Sequence, residues 1–96
     1  MRPGPVEEAW REHGAEALAR LIRLVGDFDL AEEGLQEAFA AAAVSWGRAA
    51  PDNPKAWLVR VGRNKAVDQL RRRIAFRAKQ DEVESLARLE ADAARA

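Results

Sequence analysis

Residues 53–73 read NPKAWLVRVGRNKAVDQLRRR, which combines a helix-start signal with a heavy load of positive charge. Asn53 is a good N-cap residue, and Pro54 suits the first helical turn because its missing N–H is not needed there. Across residues 55–79 the chain carries nine Lys or Arg side chains and a single acidic one. The segment therefore predicts a capped helix whose surface attracts polyanions such as nucleic acids.

Spacings of 3, 4, 4 and 3 residues place one aromatic and four polar side chains of this helix on a single stripe. The members of the stripe are Trp57, Arg60, Asn64, Asp68 and Arg71. Guanidinium groups contact phosphates, an indole stacks on a base, and an amide hydrogen-bonds a base edge. Asp68 can also hold Arg71 or Arg72 by an ion pair. Two simpler interpretations stay open: Trp57 can be a core residue, and the arginine run can be a solvated helix end.

Two further helices are predicted before this one. Apolar residues recur at three- and four-residue steps from Val6 to Val25, and Gly26 stands in the usual post-helix place. Asp29 is predicted to open the second helix, with Glu32 reaching back to it as in a capping box. One face of that helix is apolar and consists of Ala31, Leu35, Ala38, Phe39, Ala42 and Trp46. The other face carries Glu33, Gln36 and Glu37.

The rest of the chain is less regular. Residues 1–5 are expected to be a flexible N-terminus, and residues 47–53 a loop between the second and third helices. Apolar residues at three-residue spacing over 83–89 predict a fourth, weaker helix. We therefore expect an all-α fold, with a compact three- to four-helix domain at 6–73 and a C-terminal helix or linker at 74–96. The predicted core consists of Trp10, Leu18, Leu21, Leu35, Phe39, Trp46, Leu58 and Val61.

Charge is segregated along a chain that is neutral as a whole. Residues 1–50 carry five Lys or Arg and nine Asp or Glu, whereas residues 51–96 carry eleven and seven. Opposite signs on the two halves of a small domain indicate two different partner surfaces, or two halves that attract each other.

The composition argues against several classes of protein. The chain has no Cys, which excludes disulfides and thiolate metal sites, and no cofactor or metal is predicted. Its single histidine, His13, lies in the first predicted helix, where a surface position is the simpler interpretation, and no carboxylate pair accompanies a nucleophile or metal cluster, so an enzyme is not expected. No apolar run approaches the ~20 residues that span a bilayer. Residues 1–8 do not resemble a signal peptide, so we expect a soluble cytoplasmic protein.

Two motifs closely resemble region 2 of bacterial sigma factors, above all those of the extracytoplasmic-function group (group 4) of the sigma-70 family. The first is DLAEEGLQEAF at 29–39; the second combines NPKAWL at 53–58 with RNKAVDQLRR at 63–72. The motifs occur in the family's order and separation, and the resemblance covers about residues 6–73. It implies a compact helical domain. The family's second domain, region 4, which reads the minus-thirty-five element, is absent, so the chain is expected to be a fragment.

The resemblance implies a role for each surface. The family's second helix binds core RNA polymerase at the clamp helices of the largest subunit, which implies contacts by Glu33, Gln36 and Glu37. Its third helix and the preceding loop recognise and melt the promoter minus-ten element and hold the non-template strand. The implied DNA-binding residues are Arg60, Asn64, Lys65, Asp68, Arg71 and Arg72. An anti-sigma factor is a further candidate partner.

Two alternative interpretations have a different function. An unrelated helix-turn-helix module needs a turn of three or four residues before its recognition helix, and the loop at 47–53 is too long for that. A small helical interaction domain could instead use its basic helix to bind an acidic protein. Binding to RNA polymerase separates a sigma factor from this second alternative.

Overall fold

The computed structural model describes residues 2–95 and shows three α-helices there: α1 (Pro5–Val25), α2 (Phe28–Ser45) and α3 (Pro54–Arg95). No strand occurs in this part of the chain. A two-residue connection joins α1 to α2, and residues 46–53 form the loop between α2 and α3. The predicted all-α class is confirmed, as is the position of this loop.

Local signals explain the first two helix boundaries. Gly26 ends α1 in the left-handed region, with φ 77°, and its N–H donates to the Ile22 carbonyl at 2.8 Å. Asp27 caps α2, because its Oδ1 accepts from the Leu30 N–H at 2.9 Å. The predicted start at Asp29 is wrong by two residues. The cap must be the last extended residue, and Asp27 has φ −148° and ψ 123°, whereas Asp29 is already in the first helical turn.

The third helix begins where its sequence predicts. Asn53 Oδ1 accepts a hydrogen bond from the Ala56 N–H at 3.1 Å, which caps the helix at Pro54. The helix then runs unbroken for 42 residues. The fourth helix predicted over 83–89 is therefore wrong as a separate element. After Gly62 no glycine or proline interrupts the sequence, so nothing ends α3 before the region where that helix was expected.

The prediction of a compact domain is also wrong. The molecule measures 72 × 26 × 19 Å, and its radius of gyration is 19.9 Å. The three helices pack against one another only along the first half of α3, and every residue over 70–95 is exposed. The chain supplies no other helix on which the second half of α3 could pack within the described residues. The division of the chain at residue 73 stays a prediction.

The core lies between the three helices and is rich in alanine. The apolar face predicted for α2 is entirely buried. Of the other predicted core residues, Leu21 and Leu58 are fully buried, whereas Leu18 and Val61 are half-buried. The buried apolar residues are Ala9, Ala17, Leu21, Leu30, Ala31, Leu35, Ala38, Phe39, Ala42, Trp46, Leu58, Val59 and Ala66.

Trp10 is the exception among the predicted core residues, because 56% of it is exposed. The inward face of α1 is occupied by Ala9, Ala17 and Leu21, and Trp10 lies about 100° around the helix from its neighbour Ala9. Its ring instead covers Phe39 from outside, with the ring centroids 4.9 Å apart. Trp10 therefore shields the core rather than filling it.

The backbones of α2 and α3 approach each other closely at Gly34 and Gly62. A Cβ atom on Gly34 would collide with the carbonyl oxygen of Gly62 and lie 3.1 Å from the Ala66 Cβ. A Cβ atom on Gly62 would lie 2.8 Å from Leu21 Cδ1. At Gly34 only glycine fits, because the obstacle is backbone, whereas at Gly62 the Leu21 side chain would have to shift. This crossing fixes the exposed face of α2 relative to that of α3.

Candidate polymerase and nucleic-acid interfaces

The outer face of α2 carries the three residues predicted to bind polymerase. Gln36 and Glu37 are exposed, and Glu33 is half-buried. Arg73 Nη2 donates to both carboxylate oxygens of Glu33, at 2.8 Å and 3.0 Å. Glu33 therefore joins α2 to α3. The two partners are 40 residues apart in sequence, so no local pattern could have indicated the pair.

All six residues predicted to bind DNA are exposed, but they point in three directions. Arg60 lines a groove between α1 and α3. Lys65, Asp68 and Arg72 line a groove on the other side of α3, next to α2. The remaining two residues, Asn64 and Arg71, lie at helix positions between these grooves, on the outer ridge of α3.

The groove between α2 and α3 brings the two predicted surfaces together. Glu37 lies on its α2 wall, opposite Lys65, Asp68 and Arg72 on α3. The predicted pairing of Asp68 with Arg71 or Arg72 is not formed, since no ion pair within 4.0 Å includes Asp68 in the part of the chain described. Acidic and basic groups thus alternate here, and the predicted polymerase and DNA surfaces adjoin rather than lie on opposite sides.

The α1–α3 groove is more strongly basic, and most of its cations were not predicted as site residues. Lys55 Nζ donates to Glu16 Oε2 at 2.8 Å, and this hydrogen bond and the lysine charge lower the pKa of Glu16. Glu16 is the single acidic residue that lines the groove. The cations that line the groove are Arg20 and Arg23 from α1 and Lys55, Arg60 and Arg63 from α3.

Trp57 combines features of a core residue and of an exposed aromatic that stacks on a base. It is half-buried and meets Trp46 edge-on, with ring centroids 5.1 Å apart. Trp46 is buried at the start of the loop, and its indole N–H has no acceptor among the described residues. The pair anchors the loop end on α3, so Trp57 acts first as a packing residue next to the basic surface.

Neither a metal centre nor a membrane span stands out in residues 2–95. No cluster of three or more acidic or histidine side chains there could hold a metal ion. None of the three helices is long and apolar enough to cross a bilayer.

Comparison with known families decides the identity of this helical arrangement. The model of the sigma-70 region 2 family matches residues 9–75. The chain belongs to the sigma-70 region 2 family. This is a family of transcription initiation factor domains, not of enzymes. The match spans both quoted motifs of this sigma-70 region 2 domain, and the roles of the predicted site residues stay predictions.

Similarity to one curated protein covers a shorter part of the chain. An uncharacterized protein of Rhizobium meliloti (strain 1021) is 45% identical to the chain over 58 residues, which cover 59% of the chain. The chain spans only 14% of that relative's length. No solved structure matches the chain.

Proposed function

We propose that this sigma-70 region 2 domain binds core RNA polymerase through α2 and recognises and melts the promoter minus-ten element through α3 and the loop before it. We further propose that it belongs to the extracytoplasmic-function group and works in the cytoplasm, where an anti-sigma factor is a candidate partner. One observation carries the proposal: an acidic, amide-bearing helix face and a basic helix are fixed side by side at the Gly34–Gly62 crossing. Membership of the family supports the general role.

The polymerase-binding part rests on the exposed face of α2. Gln36 and Glu37 are exposed, and neither forms a hydrogen bond or ion pair from its side chain within residues 2–95. Glu33 adds a carboxylate whose present partner, Arg73, is itself about half exposed. Such a face complements a basic helical surface, as we propose for the clamp helices of the largest polymerase subunit.

The promoter-binding part rests on α3. Asn64 offers a donor and an acceptor on the outer ridge, which suits a base edge, whereas Arg71 on the same ridge suits a phosphate. Arg60 and Arg72 extend the positive surface to either side of that ridge. Single-stranded DNA is held by this combination of phosphate neutralisation and base contacts, so the ridge is proposed to hold the non-template strand.

Core binding is tested with the double variant Gln36→Ala/Glu37→Ala. The expected result is weaker affinity for core RNA polymerase with an unchanged helical circular dichroism spectrum, since both side chains are exposed. The matched control is Gln80→Ala/Glu84→Ala, which removes the same two side-chain types from the exposed second half of α3. Equal affinity of the two double variants would contradict the assignment of α2.

DNA binding is tested by titrating single-stranded minus-ten oligonucleotides with core enzyme present, across a salt series. Arg71→Ala should reduce the slope of log affinity against log salt by about 0.7, the value for one lost phosphate contact on a single strand. Asn64→Ala should relax base preference more than it lowers affinity. Arg88→Ala, an exposed arginine far along α3, is the control. An unchanged slope together with an unchanged base preference refutes the assignment of the ridge.

A further inference from the structure

We propose that the α1–α3 groove is a second phosphate-binding track, in which Arg20 and Arg23 of α1 contact the sugar-phosphate backbone of the nucleic acid that α3 holds. The inference rests on the proposed function of α3. It adds α1 to the nucleic-acid surface, although α1 carries none of the DNA-binding residues predicted from the sequence.

The positive charge of the groove is not balanced by ion pairs among residues 2–95. Its one acidic lining residue, Glu16, is already paired with Lys55 at 2.8 Å. The four remaining cations are all exposed arginines and take part in no ion pair of the described residues: Arg20, Arg23, Arg60 and Arg63. Uncompensated positive charges along one groove repel one another, and physiological salt screens this repulsion over a Debye length of about 8 Å. A bound polyanion would neutralise these four arginines, which no ion pair within residues 2–95 does.

The arrangement of the arginines suits an extended chain of phosphates. Arg20 and Arg23 are three residues apart on α1, and Arg60 and Arg63 are three residues apart on α3, so each pair lies along one wall of the groove. Guanidinium groups bind phosphate oxygens through paired N–H donors. A strand lying along the groove therefore meets donors from both walls.

The groove is continuous with the proposed promoter surface. Arg60 lines the groove and also belongs to the stripe that contains Asn64 and Arg71. These three residues follow one another at steps of one or two helical turns along α3. A strand that contacts the outer ridge of α3 can thus pass Arg60 and enter the groove without leaving positive surface.

The lining of the groove favours nucleic acid over an acidic protein. No aromatic residue lines it, and Leu24, 50% exposed, is its single exposed large apolar side chain. The core of a protein–protein interface is enriched in aromatic side chains, none of which lines this groove. Arginines that neutralise phosphates are instead the main source of affinity for nucleic acid.

The test compares two double variants of the full chain in complex with core polymerase. Arg20→Gln/Arg23→Gln removes the α1 wall, and Arg88→Gln/Arg95→Gln removes two exposed arginines far from the groove. On a single-stranded minus-ten oligonucleotide, the first should reduce the slope of log affinity against log salt by about 1.4, at about 0.7 per contact, and the second should leave it unchanged. Circular dichroism checks that both variants stay folded.

A second measurement locates the contacts. Oligonucleotides that each carry one neutral methylphosphonate are titrated with the wild-type chain and with Arg20→Gln/Arg23→Gln. At phosphates held in the groove, the neutral group should lower the affinity of the wild-type chain. It should not lower the affinity of the variant further, because the contact to that phosphate is already lost. Additive losses at every phosphate, or an unchanged salt slope, overturn the proposal. So does a variant that loses affinity only for a poly-glutamate probe, because the groove then serves an acidic protein.

The outcomes separate this inference from the proposed function. If Asn64→Ala and Arg71→Ala have the expected effects but Arg20→Gln/Arg23→Gln leaves the salt slope unchanged, the groove proposal is refuted and the promoter assignment of α3 stands. If only Arg20→Gln/Arg23→Gln lowers the slope of log affinity against log salt, the groove proposal stands and the assignment of DNA binding to the outer ridge of α3 is refuted. A wild-type chain with no affinity for any oligonucleotide in the presence of core enzyme refutes both.

Discussion

Replacing Gly34 by alanine is the sharpest test of how the helices are held together. The added methyl group would collide with the Gly62 carbonyl oxygen, which belongs to the backbone of α3 and cannot rotate away as a side chain can. It would also press on the Ala66 Cβ at 3.1 Å. The two helices must therefore move apart by roughly an ångström to restore an ordinary carbon–oxygen contact of ~3.3–3.6 Å.

Two effects of opposite sign decide the magnitude. Alanine is favoured over glycine in a helix interior by about 1 kcal/mol, which stabilises any Gly→Ala variant in a helix. Overpacking of a well-packed core costs about 1–3 kcal/mol and occasionally more. The obstacle at Gly34 is backbone, and separating α2 from α3 also loosens contacts around the buried Ala66. We expect the cost to prevail, with a net loss of about 1–2 kcal/mol.

Gly14→Ala supplies the matched control. Gly14 also lies within a helix, but a Cβ there would meet nothing nearer than Trp10 Cδ2 at 4.0 Å, an ordinary contact. This variant should be stabilised by up to about 1 kcal/mol from helix propensity alone. The two Gly→Ala changes should therefore shift stability in opposite directions.

The assay is urea unfolding followed by tryptophan fluorescence and by circular dichroism. Fluorescence is needed because Trp46 and Trp57 lie where the helices pack, whereas the exposed half of α3 contributes helical signal without tertiary contacts. If the same variants are unfolded by heat, a change of 1 kcal/mol in stability shifts the thermal midpoint of a domain of this size by about 4–8 °C. If Gly34→Ala is as stable as Gly14→Ala, the close crossing of α2 and α3 is refuted.

Three further predictions test the core, a cap and an ion pair. Phe39→Ala should cost about 3–5 kcal/mol, because it removes a buried ring, and a thermal midpoint that moves by only a few degrees would show that the ring is not buried. Asp27→Ala should cost about 1 kcal/mol and more than Asp29→Ala, since Asp27 accepts the capping hydrogen bond; the reverse order in thermal unfolding would favour a start at Asp29. The pKa of Glu16 is lowered by Lys55, so their contact stabilises the fold above the ordinary carboxyl pKa of 4.5 and is lost as pH falls through the lowered value. NMR titration should show Glu16 returning to an ordinary pKa in Lys55→Met, and an unchanged value would contradict the contact.

Helix boundaries were predictable wherever one local signal stood alone. Asn53 with Pro54 gave the start of α3, and Gly26 gave the end of α1. The start of α2 was misplaced because Asp27 and Asp29 both stand before helical sequence, and only the backbone shows which is extended. The continuity of α3 was missed because apolar spacing over 83–89 indicates a helix without showing whether it is a new one.

The candidate site was predictable as far as single helices allow. That Asn64 and Arg71 share one stripe of α3 follows from helical periodicity alone. The α1–α3 groove does not, because Arg20 and Arg23 become part of it only when α1 is laid beside α3. Which side chains of different helices face each other depends on how those helices cross, and the crossing depends on close packing that no short motif encodes.

The ion pair between Glu33 and Arg73 couples the two proposed surfaces, so that occupation of one favours occupation of the other. A cation from a partner of α2 and the guanidinium of Arg73 need the same two carboxylate oxygens. Occupation of the α2 face therefore frees Arg73 for an anion, and by thermodynamic reciprocity an anion that holds Arg73 leaves Glu33 more available. An exposed pair of this kind contributes at most about 1 kcal/mol, so either ligand can raise the affinity for the other by no more than about fivefold through this contact.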